Sequence, residues 1–238
     1  MEEDSKFTEM DIADTIMERP YGFRIGEQQF YLYPVSLGKT YLISRLVNKL
    51  EMNSNIIKSN PYMEALRLCK NKKKIVCRLL TYHTINKKEE LFDNEAINSR
   101  CVFFEENLSD EEMAQLLVII LTNDHVNTFI KYLGLDRERK ELARISKIKD
   151  KKGNSITFGG KSVFGSLILP ACEKLNMTPH QIVWDISYSF LQMLMADAIT
   201  SVPLTDEEKK EAHIPSDRTF INADDPENIA KIKAMKWD

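Results

Sequence analysis

Apolar residues recur at helical spacing along most of this chain, which points to a mainly α fold. Leu42, Ile43, Leu46, Val47 and Leu50 form one stripe behind Ser36, a residue suited to capping a helix start. Ile75, Val76, Leu79 and Leu80 form another, and Met113, Leu116, Leu117, Ile120 and Leu121 a third. The third begins at Ser109 and Glu112, the spacing of a capping box. Asn60 followed by Pro61 marks a further start, of a helix carrying Met63, Leu66 and Leu68. Eight glycines and eight prolines in 238 residues supply little turn material for a many-stranded sheet. One short exception stands near the start. In "YGFRIGEQQFYLYP" Tyr21, Phe23 and Ile25 alternate, as do Phe30 and Leu32, around Gly26-Glu27. That pattern predicts a small β-hairpin. The fold class is therefore a multi-helix domain with a small N-terminal β-hairpin.

The chain divides by composition. Residues 1–19 hold seven acidic side chains against Lys6 and Arg19, and read as a mobile acidic arm with a short helix over Met10–Met17. Residues 20–150 hold the hairpin and a helical region. Asp124 opens a helix that stops at Gly134, and residues 136–150 are charged and helix-prone with Leu142, Ile145 and Ile148. Residues 151–161 form a Gly-containing loop, the best boundary in the chain. Residues 162–238 are a C-terminal helical region expected to pack with the first as one unit. In it a helix spans 162–175, and Thr178-Pro179 opens a long helix reaching residue 200. Thr205 and Glu208 form a second capping box, and Asp225-Pro226 opens a short final helix before Trp237.

"FYLYPVSLGKT" has the outline of a phosphate-binding loop, and Gly160-Lys161-Ser162 repeats it. A phosphate-binding loop also needs a glycine six residues before the lysine, so that successive N–H groups turn toward the phosphates. Tyr33 and Ser155 stand at those positions, and Pro34 removes one N–H from the first loop. Gly38-Lys39-Thr40 reads instead as the first turn of a helix. Cys69, Cys77, Cys101 and Cys172 show no Cys-x-x-Cys spacing, and His83, His125, His180 and His213 are scattered. No metal or cofactor site is assigned, and the thiols read as buried and free. A net charge of −3 argues against a dominant nucleic-acid role. The basic cluster Arg67, Lys70, Lys72, Lys73, Lys74 and Arg78 reads as a solvated face without interleaved aromatics. The acidic start lacks the basic and apolar regions of a signal peptide, and no apolar run reaches membrane-spanning length.

The segment 179–200 carries Trp184, Tyr188, Phe190, Leu191, Met193, Leu194 and Met195 around most of a helix. Such a helix is either central in the core or covered by a partner, and methionine adapts to varied apolar surfaces. Trp184, Tyr188, Leu191, Met193 and Met195 are the partner-binding candidates. Trp184 and Leu191 are expected mostly buried, with part of the Met193–Met195 surface at a groove. Asp185, Ser189 and Gln192 fall on one face of that helix, a polar seam and not a catalytic set. No catalytic residue is assigned, and the expectation is a protein that is not an enzyme.

Three stretches, "FRIGEQQFYLYPVSLGK", "GGKSVFGSLILPACEKL" and "VWDISYSFLQMLMADAITSV", resemble proteins of the tail modules of tailed phages and prophages of Bacteroides-type bacteria, of the kind described as tail assembly chaperones. The resemblance spans roughly residues 20–230 and rests on hydrophobic pattern. It implies a non-enzymatic protein of the bacterial host cytoplasm that shields the long helical tape measure protein until tail tube subunits polymerise around it. A structural virion component, such as a connector or head–tail completion protein, is the second reading. A nucleotide-binding enzyme using Lys39 or Lys161 is the third. No membrane partner is expected, and self-association stays open.

Overall fold

The computed structural model describes residues 2–122, 125–151 and 160–214. They form α1 (Glu2–Ile16), β1 (Tyr21–Ile25), β2 (Gln28–Leu32), α2 (Leu37–Leu50), α3 (Ser54–Ser59), α4 (Pro61–Thr84), a 3-10 turn (Glu89–Phe92), α5 (Asn94–Asn107), α6 (Asp110–Thr122), α7 (Val126–Tyr132), α8 (Leu135–Lys151), a π-helical turn (Phe164–Ile168), α9 (Leu169–Leu175), α10 (Pro179–Trp184), α11 (Tyr188–Ala196) and α12 (Asp206–Glu211). The protein is mainly α with one two-stranded antiparallel hairpin, as its periodicities predict. The expected helix at Asp225-Pro226 and Trp237 lie outside the described residues, as do Asp124 and most of the expected loop.

The chain separates into two compact units. One takes the chain up to Arg137 and the segment ending at Ala198; the other takes the segment from Glu138 and the chain from Ile199 on. This differs from the expected division at 151–161. Residues 162–198 belong with the hairpin, and only the chain beyond them joins the second unit.

In the larger unit α4 is the central element, packed by α2, α3, α5, α6 and β2. Its start follows the sequence signal: the Asn60 side chain accepts from the Met63 N–H and Pro61 occupies the first turn. Lys72 leaves helical geometry at φ −136°, ψ 36°, so α4 kinks between its two apolar stripes. Leu68, Val76, Leu80, Phe104, Met113 and Leu117 fill the core around it. The hairpin lies on this core with Phe23 opposite Phe30. Their rings stack at 5.6 Å, and Phe30 meets Phe104 edge-on at 5.2 Å. Gly26 takes φ +58° at the hairpin turn, where a side chain would be strained.

Two expected elements differ here, both because of distant partners. The N-terminal segment is helical from Glu2 to Ile16, longer than the expected Met10–Met17 helix, and its second half makes contacts with the rest of the unit. Ile12 packs beside Val126, Phe129 and Met193, and the Tyr132 hydroxyl donates to Glu9 at 2.6 Å. The Asp11 carboxylate lies 3.6 Å from the His125 imidazole, and Glu18 accepts from the Ser187 N–H. The long helix over 179–200 is two short ones. α10 opens with the Thr178–Gln181 capping box and ends at Trp184. Ser187 then pairs with Ser36 in an isolated antiparallel bridge and caps α11 through the Phe190 N–H. The Tyr188 N–H donates to Val35 O at 2.7 Å in place of a bond one turn back. Asp185 therefore ends α10, and the expected Asp185–Ser189–Gln192 face does not form.

The smaller unit contains most of α8 together with α12, which starts at the expected Thr205–Glu208 capping box. Arg144 of α8 pairs with Glu141 and donates to Ala212 O at 2.9 Å.

Candidate functional site

The β2–α2 link, the end of α4 and the break between α10 and α11 meet in the larger unit. Ser36 caps α2 as its sequence suggests, which turns Lys39 inward. Lys39 is only 2% exposed, and its ammonium donates to Ile85 O at 2.6 Å. An ammonium directed at a buried carbonyl does not reach a nucleotide phosphate. Burial lowers the Lys39 pKa from 10.5 to about 8. Trp184 stands nearby, mostly but not fully buried, packed against the cluster of Ile85, Leu91 and Ile97, in line with its expected burial. A Cβ on Gly38 would lie 2.8 Å from its ring, which is why the helix carries glycine there. Phe92 meets the same indole edge-on at 6.0 Å, and the Lys88 ammonium stands 5.2 Å from the ring centroid.

Beside this cluster, α1 covers a cleft of about 430 Å³. Asp11, Asp14 and Thr15 form one wall, and Val35, Ile119 and Ile120 give an apolar side. His83, Ser187 and Ser189 also line it. His83 is 6% exposed, and among the described residues its buried Nε2 has no hydrogen-bond partner. Burial, then the Lys39 charge, drives its pKa down to about 3, so the imidazole is neutral at physiological pH. Sequence reading missed this group. A histidine among apolar residues near a helix end carries no local mark of an unpaired nitrogen.

The partner-binding candidates scatter between core and surface. Leu191 is 0% exposed and Met193 2%, so both are packing residues that no partner can touch while α11 stays in place. This corrects the expected exposure of the Met193–Met195 surface at Met193. Tyr188 and Met195 are half-buried in the cluster of Leu37, Ile168, Ala171, Ile182, Ile186 and Leu191. That cluster is thinly covered. Leu167, Cys172, Leu175, Met177 and Leu194 are also only partly buried around it. Phe164, in the π-helical turn, is 53% exposed, with Val163 and Leu169 exposed beside it. The apolar surface thus centres on 163–195, wider than the α11 stripe alone.

Three of the six residues of the basic cluster are paired within the fold, while Lys70 and Lys74 are exposed. Arg67 holds buried Glu64 at 2.6 Å, Lys72 reaches Glu51 at 2.5 Å, and Lys73 lies 3.8 Å from Asp110. Burial raises the Cys69 and Cys77 thiols to about 12, which keeps them protonated and unreactive. Among the described residues, no three His, Cys, Asp or Glu side chains group to hold a metal ion, and no helix is long and apolar enough to cross a membrane. No family model matches the chain, and neither the curated proteins nor the solved structures contain a significant match.

Lys39 makes a measurable prediction. Between pH 8 and 10.5 the unfolded chain binds more of this proton than the folded one, so stability rises with pH across that window. The full gain is roughly 3 kcal/mol. Cys69 and Cys77 act in the opposite sense above pH 9, because their folded thiols hold protons that the unfolded chain loses. The difference between wild type and Lys39→Met isolates the lysine. In urea titrations that difference should shift in favour of wild type as pH rises from 8; a constant difference would mean that Lys39 is not desolvated.

Proposed function

We propose that this chain is a non-enzymatic assembly chaperone. In this reading it acts in the cytoplasm of the bacterial host and binds an apolar helical segment of a phage tail protein, the tape measure protein. The observation that carries the reading is the exposed apolar surface of 163–195, with Phe164 and Leu169 at its outer edge and Met177 and Met195 half-buried beside them. Helix-in-groove recognition needs such a surface, and methionine side chains adapt to more than one client residue. The π-helical turn adds to it, since these turns are rare and recur at functional sites. The resemblance to tail assembly chaperones supplies the client.

Binding driven by apolar burial should show a negative heat-capacity change and persist in moderate salt. Calorimetry with the purified tape measure segment tests this. Phe164→Asp with Leu169→Asp should weaken the complex by about tenfold or more, equivalent to at least 1.4 kcal/mol, with circular dichroism unchanged. Met10→Asp, at an exposed position on α1, serves as the control and should leave affinity unaltered. Unchanged affinity in the double variant, or binding abolished by salt, would remove the basis for this reading.

A further inference from the structure

We propose that the seat of α1 against α7 and α11, together with the cleft beside it, is a docking site for an amphipathic helix of a partner protein, and that α1 holds it as a weak internal occupant. The partner helix that fits has an aliphatic residue where α1 has Ile12, and bulky apolar residues where α1 has Asp14 and Thr15. The site is independent of the apolar surface at 163–195 and of any client bound there.

α1 fills its seat poorly. It packs on α7 and α11, and among the described residues Ile12 is its one side chain in the apolar cluster of Val126, Phe129 and Met193. To the cleft it presents Asp11, Asp14 and Thr15, although Val35, Ile119 and Ile120 line the same space. Its own Met10 and Ile16 are exposed, as is Met17 just past its end. A docked amphipathic helix turns its apolar stripe inward and its polar face to water. Apart from Ile12, the second half of α1 does nearly the reverse. Protein interiors are close-packed, so a cleft of about 430 Å³ lined by a helix and by apolar side chains is contact that this helix does not make.

What else holds α1 is polar. Glu9 accepts from the Tyr132 hydroxyl, Asp11 lies 3.6 Å from His125, and Asp14 pairs with Arg19 of its own segment at 3.3 Å. Exposed pairs of this kind each contribute little, so α1 opens at a lower free energy than the core around α4. The hinge is built in. Glu18 takes φ +50°, a strained conformation for a residue with a side chain, and its carboxylate accepts from the Ser187 N–H. α1 can therefore swing away while the linker stays attached. An incoming helix with a carboxylate at the position of Glu9 and an aliphatic residue at that of Ile12 keeps the contacts of α1. Apolar side chains one turn later add burial over Val35, Ile119 and Ile120 that α1 lacks.

The test adds synthetic peptides of residues 2–17 to the full chain labelled with nitrogen-15. One peptide has the native sequence, and one carries Asp14→Leu with Thr15→Leu. The amide signals of Val126, Phe129 and Met193 report the seat. The tethered α1 competes at an effective concentration in the millimolar range, so the chain is prepared with Ile12→Asp, which loosens α1 and leaves the seat intact. In that chain the leucine peptide should bind saturably, and at least about tenfold more tightly than the native peptide. A third peptide carries Ala13→Leu at an exposed position and should gain nothing, which separates filling of the cleft from added hydrophobicity. Asp14→Leu with Thr15→Leu placed in α1 of the otherwise native chain should slow amide exchange within α1. No saturable shift in the Ile12→Asp chain, equal binding of the native and leucine peptides, or unchanged exchange in the double variant would overturn the proposal and leave α1 as a permanent part of the fold.

Discussion

Acidification from pH 6.5 to 3 should remove roughly 4 kcal/mol of stability through His83 alone. The folded imidazole has its pKa depressed from 6.5 to about 3 by burial and by the neighbouring Lys39 charge. Above pH 6.5 both states hold the ring neutral and nothing is lost. As pH falls below 6.5 the unfolded chain takes up the proton first, so unfolding is favoured progressively until the folded pKa is reached. Glu64, Glu112 and Glu141 add to acid sensitivity, since their hydrogen bonds hold their carboxyl pKa values below the ordinary range. The His83→Leu variant separates the terms. It should be more stable than wild type at pH 7, because an unpaired buried nitrogen is gone, and its loss of stability toward pH 4 should be much shallower. Urea midpoints across the pH series measure both. Equal slopes in the two proteins would mean that His83 reaches solvent in the folded state.

Phe104→Ala should destabilise the protein by about 3–5 kcal/mol. Phe104 is fully buried in the core around α4, and its ring meets both strands of the hairpin, through Phe23 at 6.3 Å and Phe30 at 5.2 Å. Among the described residues neither strand has another sheet neighbour, and an isolated two-stranded hairpin is marginal in water. Removing the ring should therefore leave a cavity and also loosen the hairpin. Amide exchange at Phe23 and Phe30 should accelerate more than exchange in the second half of α4. A cost below about 1 kcal/mol would show that the core refills the space without help from the hairpin.

What could be read directly from the residues was local. The hairpin follows from alternation around Gly26, and the starts of α2, α4, α6, α10 and α12 from caps within three residues of the helix. What could not be read depends on partners far along the chain. The acidic N-terminus looks solvated until Glu9 meets Tyr132 and Glu18 meets the Ser187 N–H. The 179–200 segment looks like one helix because its apolar pattern is continuous. Val35 O captures the Tyr188 N–H and Ser187 acts as a cap, so the chain breaks where periodicity shows nothing. The same applies to the candidate sites. Gly38-Lys39-Thr40 has the outline of a phosphate-binding sequence, yet the environment of Lys39 is Ile85 O and the neighbouring His83, both more than forty positions away. An all-round apolar pattern leaves core and partner-covered positions open for Met193; Val126, Phe129 and Ile12 pack beside it and it is buried.

The central claim is that the surface at 163–195 holds an apolar helical client during assembly and then releases it. The most direct measurement co-produces the chain with the tape measure protein, follows the soluble complex, and then assays finished phage tails for the chain. The account predicts that wild type keeps the client soluble, that Phe164→Asp with Leu169→Asp does not, and that completed tails contain none of this protein. A client that is equally soluble with the double variant, or stoichiometric amounts of the chain in completed tails, would contradict it.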